Sequence, residues 1–345
     1  LTFMETQRTS SIMTVNTPKS QPKLNEEQKS TLLVLKERFN SSLIDIMNNT
    51  GKYNAQLDLL KIWPETDNLP ELYNQLTELK DCLDSFRPFN SSMLKNLNQE
   101  LDIKYTYESN CIEGNSLTLG ETEQVINTGL TIGGKPLVDH LEAINHQEAI
   151  HYIRDLAKHE IELSEREIKN IHSLILKGIQ KEHAGQYRKQ PVFVMQQDGS
   201  KHEFPQPYIL PKLMEDFFRF FEDNKNTMHP VEMAAHLHQK FVNIHPFIDG
   251  NGRTSRLIMN LYLFQHGYPV TVIDSEMNKR REYYSILSNY RGVLTGGDSE
   301  PFQLFIAQKV KESLIDQLNF FSQDGTEEGK EKGYDFFKKI EPLLD

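Results

Sequence analysis

The sequence predicts an all-α fold carrying one short β-hairpin. Three observations support this. Apolar residues recur every three or four positions over most of the chain. Glycine and proline stop signals punctuate those runs. A single stretch near residue 190 breaks the helical period with β-prone residues and a turn signal.

The elements follow in chain order. Residues 1–24 are rich in Ser, Thr, Asn, Gln, Lys and Pro and read as a disordered tail. From 25 to 100 the pattern is helical, with Leu32, Leu35, Phe39 and Leu43 on one stripe and Leu72, Leu76, Leu79 and Leu83 on another. A further helix enters after Pro88 and stops at Gly114 and Asn115. Thr118 or Ser116 caps a short helix, and a glycine-rich turn at 129–134 leads to a long helix ending at Ala157. Ser164 and Glu167 have capping-box spacing for the next helix. Val192, Phe193 and Val194 then read as a strand, "QDGS" as a hairpin turn, and Pro205 and Pro207 as its end. The remainder is helical to about 320, and the charged end holds one weak amphipathic segment. The predicted organisation is a tail (1–24), a helical N-terminal region (25–100), a core (101–310) and a C-terminal helix and tail (311–345).

Composition narrows the function classes. The chain has 345 residues, 37% hydrophobic and 25% charged, which fits an ordinary soluble globular protein with one large or two modest domains. The formal net charge of −11 argues against general nucleic-acid binding, which demands clustered Lys and Arg. No apolar run approaches membrane-spanning length, and "LTFMETQRTS" lacks the marks of a signal peptide, so a cytoplasmic protein with no membrane partner is expected. Cys82 and Cys111 read as two free, mostly buried thiols.

The stretch "HPFIDGNGRTSR", residues 245–256, carries chemistry. His245 precedes Pro246, so its backbone leaves the α region and the preceding helix stops there. Gly250, Asn251 and Gly252 let successive N–H groups converge into an anion nest. A helix begins immediately afterwards and aims its own N–H groups at the same place. Arg253 and Arg256 lie three apart in its first turn, on one face, and oppose the helix dipole unless an anion lies between them. A polyphosphate fills that need. Asp249 is a suitable Mg²⁺ ligand alongside phosphate oxygens, and His245 is placed to take a proton from a hydroxyl.

A second stretch, "SNCIEGN" at 109–115, puts the Glu113 carboxylate in the last turn of a helix, at the negative end of the dipole. Ser109 and Glu113 are four apart and share a helix face.

The segment 245–256 resembles the Fic family motif HPFx(D/E)GNGRxxR at every defined position. "EGNSLTLGETEQVINTG", "GGKPLVDHLEAINHQEAIHYI", "GQYRKQPVFV" and "HPVEMAAHLHQKFVNIHPF" also resemble the Fic core, over about two thirds of the chain. The resemblance implies the Fic helical fold with a hairpin "flap", and transfer of AMP from ATP, with Mg²⁺, onto a Ser, Thr or Tyr of a target protein. It implies His245 as the base, Asp249 as the metal ligand, Gly250, Asn251 and Gly252 on the phosphates, Arg253 at the β/γ region and Arg256 on the γ-phosphate. Phe247 is then the anchor of the loop in the core. Val192, Phe193, Val194 and Met195 match the flap (190–197) that covers the nucleotide and docks the target as an added strand. Tyr283 and Tyr284 match a tyrosine pair near the adenine, and Asn289 and Arg291 are the nearest candidates for a further base contact. Ser109, Glu113 and Gly114 match the inhibitory motif (S/T)xxxE(G/N), which implies that Glu113 pairs with Arg256 and blocks the γ-phosphate site. Two other activities stay open: a hydrolase removing AMP from a modified target, with Glu113 positioning water, and a non-catalytic nucleotide-sensing module. Self-modification and a homodimer also stay open.

Overall fold

The computed structural model describes residues 63–195, 199–289, 297–322, 324, 326–329 and 331–333. The expected tail at 1–24, the helical pattern of 25–62, Arg291, the side chain of Asn289 and the end of the chain from 334 lie outside the described residues.

Ten α-helices, a short 3-10 helix (Pro207–Ile209) and one hairpin make up the element order among the described residues: α1 (Leu69–Asp84), α2 (Ser91–Ile112), α3 (Leu119–Thr128), α4 (Leu137–Lys158), α5 (Glu165–Ile175), β1 (Phe193–Met195), β2 (Lys201–Glu203), α6 (Leu210–Asn224), α7 (Pro230–Ile244), α8 (Asn251–Gln265), α9 (Met277–Asn289) and α10 (Glu300–Phe321). Local chemistry sets most of the starts. Asn68 caps α1, Asn90 caps α2, and Thr118 with Glu121 forms a reciprocal capping box on α3. Ser164 caps α5 through the Glu167 N–H, but the Glu167 carboxylate turns to Tyr152, Arg166 and Asn170, so only half of the expected box forms.

α8 is the axis of the fold. Every residue from Arg253 to Leu263 is buried, which requires neighbours on all sides. α7, α4, α5 and α2 supply them. α10 packs on both α7 and α1, so the N-terminal helix α1 joins the same continuous core, from Trp63 and Leu76 through Phe241 and Ile258 to Phe302 and Leu314. The hairpin pairs antiparallel with Phe193 opposite Glu203, Val194 opposite His202 and Met195 opposite Lys201. Cys82 is buried, whereas Cys111 is only partly so, because α2 turns that position away from the core. Among the described residues no helix is long and apolar enough to cross a membrane.

Candidate active site

The loop between α7 and α8 is shaped by its own side chains. α7 ends at Ile244, and His245 adopts φ 52°, ψ 58°. This is the left-handed region, not the extended conformation that a following proline favours. The N–H of His245 bonds to Phe241 O at 3.0 Å, closing the helix end as a left-handed cap does. Asn251 clamps the turn: its Oδ1 accepts from Phe247 N–H at 2.9 Å and its Nδ2 donates to Phe247 O at 2.9 Å. Phe247 is fully buried, with its ring stacked 3.6 Å from His172. Gly250 (φ 76°) is the N-cap, so α8 begins at Asn251, two residues earlier than expected. Arg253 therefore lies in the first turn and Arg256 in the second. The Gly250 N–H donates to Asp249 Oδ1 at 2.6 Å. The first-turn N–H groups of Asn251, Gly252 and Arg253 are those that a helix leaves without internal partners, and they are the anion-seeking donors of the site.

The two arginines diverge. Arg253, 2% exposed, donates Nη1 to Glu142 Oε1 of α4 at 2.8 Å and lies 3.6 Å from Asp249 Oδ2. Arg256, 1% exposed, donates Nε to Ser109 Oγ at 2.9 Å, Nη2 to Ser109 O at 2.9 Å and to Glu113 Oε1 at 2.6 Å, and Nη1 to Tyr283 Oη at 3.3 Å. The Glu113–Arg256 pair engages a single carboxylate oxygen; Ser109 and Tyr283 take the other guanidinium donors, so it is not the two-pronged pair that Arg and carboxylate often form. Burial disfavours the Glu113 charge, but Arg256 and then Arg253 outweigh it and hold the carboxyl below the usual range. The carboxylate lies against Gly252, where a Cβ would overlap Glu113 Oε1. Glu113 is the C-cap of α2, and Gly114 (φ 100°) turns the chain away after it. Both sequence misfits, an anion at the end of α2 and a cation near the start of α8, thus meet each other.

His245 is held with one nitrogen committed. Its Nδ1 lies 3.1 Å from Val242 O, an acceptor, so Nδ1 carries the proton and Nε2 keeps its lone pair. Burial pushes its pKa down to about 4, against smaller upward pulls from the Val242 carbonyl, Glu113 and Asp249, so the ring is neutral at pH 7. Phe204 stacks on it at 3.7 Å. His172 positions the far side of the loop: its Nδ1 accepts from Gly185 N–H and its Nε2 donates to Asp249 O, both at 2.9 Å.

One cleft of about 570 Å³ is lined by some of these groups. Glu113, His245, Gly252 and Arg256 lie on one wall; Arg280, Tyr283 and Tyr284 of α9 and Val194 and Met195 of the hairpin lie on others. Tyr283 is 1% exposed and supports Arg256 through its hydroxyl, while Tyr284 is 37% exposed, with its hydroxyl on Ile112 O at 3.3 Å. Phe193, Val194 and Met195 are exposed apolar residues, and Val192, half-buried, pairs its carbonyl with Phe204 N–H. Among the described residues no group of three His, Cys, Asp or Glu converges as a protein metal cage. Asp249, whose side chain is 46% exposed, fits the other arrangement, a single carboxylate completed by phosphate oxygens and water, as Mg²⁺ prefers. Glu142, His172, Arg188 and Phe204 were not singled out from sequence; their spacing carries no local signal, since each reaches the loop from a separate element.

Taken together, fold and site define a helical protein whose buried central helix offers its N-terminus and Arg256 to a cleft that the neutral His245 of the preceding loop also lines. Residues 162–263 match the model of the Fic/DOC family. The chain is 34% identical over 240 residues to "Protein adenylyltransferase Fic" of Drosophila persimilis, covering 69% of this chain and 45% of that protein. It is 31% identical over 294 residues to the protein of the same name in Drosophila yakuba, covering 84% and 56% respectively. It therefore spans about half the length of the curated relatives it matches. Among solved structures it resembles a Fic domain containing signaling protein from Bacteroides thetaiotaomicron (28% identity, TM-score 0.63, 74% of this chain and 98% of that one). It also resembles Fic-1 from C. elegans (25% identity, TM-score 0.63, 84% and 85%). The chain belongs to the Fic family.

Proposed function

We propose that the chain is a protein adenylyltransferase that moves AMP from ATP to a Ser, Thr or Tyr hydroxyl of a target protein, and that Glu113 holds it inhibited by occupying Arg256. The observation that carries this reading is a neutral His245, with Nε2 available, on the same cleft as the α8 N-terminus and Arg256. The names of its relatives support it. In the step proposed, the target hydroxyl oxygen forms a bond to the α-phosphorus of ATP, the bond from that phosphorus to the bridging oxygen breaks, and pyrophosphate leaves. The hydroxyl proton passes to His245 Nε2. The N–H groups of Asn251 and Gly252, with Arg253 and Arg256, hold the phosphates and offset their charge in a site already built for it. Asp249 would hold Mg²⁺, which supplies further charge neutralisation on the phosphates when bound.

While Glu113 bonds to Arg256, the guanidinium is closed to a γ-phosphate, and ATP lacks the contact that aligns it. Residues 101–310 form the transferring unit in this reading. The target docks as a strand on the hairpin, a role supported by the exposed apolar Phe193, Val194 and Met195. Tyr284 and Arg280 flank the space left for the base.

His245→Ala tests the chemistry. Transfer of label from α-labelled ATP to protein is expected to fall by about 10²-fold or more, the usual worth of a general base, while ATP binding by calorimetry is retained. Transfer at the unmodified rate removes His245 from the role. Release of labelled AMP from a modified target, without transfer in the forward assay, replaces this reading with the hydrolase.

A further inference from the structure

The hairpin and the His245 loop are joined by two contacts of different kinds. The first is Arg188, which is 3% exposed. Its Nε donates to His245 O at 2.7 Å, Nη1 to Gln190 O at 3.1 Å and Nη2 to Pro205 O at 2.5 Å, and its backbone N–H donates to Pro246 O at 2.9 Å. Gln190 precedes β1 and Pro205 follows β2. One buried guanidinium therefore stitches both ends of the hairpin to the backbone of the loop.

The second contact is Phe204. Its N–H donates to Val192 O at 3.1 Å, extending the strand pairing toward the hairpin's base. Its ring, 9% exposed, lies on the His245 imidazole at 3.7 Å with an interplanar angle of 12°. His202 meets the Phe204 ring edge-on at 5.0 Å. His245 sits in the left-handed region, where a residue with a side chain persists only if its surroundings fix it. The Val242 carbonyl fixes the edge of the imidazole, and Phe204 fixes its face.

We infer that Phe204, with Arg188, is a positioning residue for His245, so that the placement of the hairpin sets where His245 Nε2 points. Proton transfer falls off steeply with misplacement, so base alignment depends on an element that does not itself react. A target strand added to the hairpin then acts on the base as well as on the substrate. The inference rests on the proposed role of His245 as the base.

The test compares Phe204→Ala and Phe204→Tyr. Activity is read in a Glu113→Gly chain, free of the inhibitory contact. The His245 ring is followed by NMR between about pH 5.5 and 7.5, with its signals assigned by their loss in His245→Ala. Phe204→Ala is expected to lower kcat about tenfold or more while KM for ATP is unchanged. It should also move the His245 titration upward, because water reaches a ring that burial had kept neutral. Arg188, Glu113 and Asp249, the charged groups facing that ring, remain in the chain used for the titration, so the movement reports the lost ring. Phe204→Tyr should preserve both properties. An unmoved titration with unchanged kcat overturns the inference, as does a loss of kcat that Phe204→Tyr shares. If the Glu113→Gly chain transfers no AMP, the proposed activity fails, and the titration still decides the contact.

Discussion

Glu113 sits at the C-terminal end of α2, where the dipole disfavours an anion, and Arg256, reaching it from the second turn of α8, offsets that penalty. Around them, the environment favours the charged forms. Arg256 is buried yet held protonated by Glu113, and its remaining donors are met by Ser109 and Tyr283. The absent Cβ of Gly252 leaves the space that the carboxylate fills, and in the proposed mechanism a phosphate displaces Glu113 to reach the same guanidinium. Ser109 is the weaker half of this arrangement. Its hydroxyl accepts from Arg256 Nε at 2.9 Å, and a hydrogen bond to a charged group is worth about 1.5–3 kcal/mol. Ser109→Ala is therefore expected to raise basal AMP transfer severalfold, less than removal of Glu113 does, because the Ser109 carbonyl still holds Nη2. Quantifying labelled AMP on protein checks the order of the two effects.

At the scale of elements, periodicity made the helices and the hairpin legible, and the loop 245–256 was legible because its chemistry is contiguous. The pairing of Glu113 with Arg256 was accessible for a different reason: the misplaced charges raised the question of a partner, and only the resemblance to the inhibitory motif implied which one. Contacts assembled by packing were not legible. Glu142 reaches Arg253 from α4, His172 reaches the Asp249 carbonyl from α5, and Arg188 and Phe204 reach His245 from either side of the hairpin. None has a neighbour in sequence that marks it. Boundaries slipped where side chains override local preference. Asn251 clamps Phe247 and starts α8 before the expected residue. Glu167 prefers Tyr152 to closing the Ser164 cap. His245 takes a left-handed conformation because it closes α7.

For the molecule as a whole, the buried histidines couple stability to pH. Burial lowers His172, His229, His236 and His245 to about 4, and pushes His146 and His238 well below their ordinary value. In the unfolded chain each takes a proton near pH 6.5, so the unfolded state binds more protons as pH falls. Their contribution is full above about pH 6.5 and is lost as pH drops toward 4, at up to about 1.4 kcal/mol per histidine per pH unit. The urea midpoint should fall steadily across that window; a flat midpoint would show that these rings are charged in the folded state. Above it, His245 stays neutral, so transfer should show no acid limb between about pH 6.5 and 8. The whole reading turns on competition for Arg256, and the most direct measurement is AMP transfer by Glu113→Gly beside the unmodified chain at equal ATP. Loss of a charge-assisted contact worth about 1.5–3 kcal/mol predicts a rise of roughly ten- to a hundredfold. Equal rates in the two proteins, with His245 intact and ATP bound in both, would contradict it.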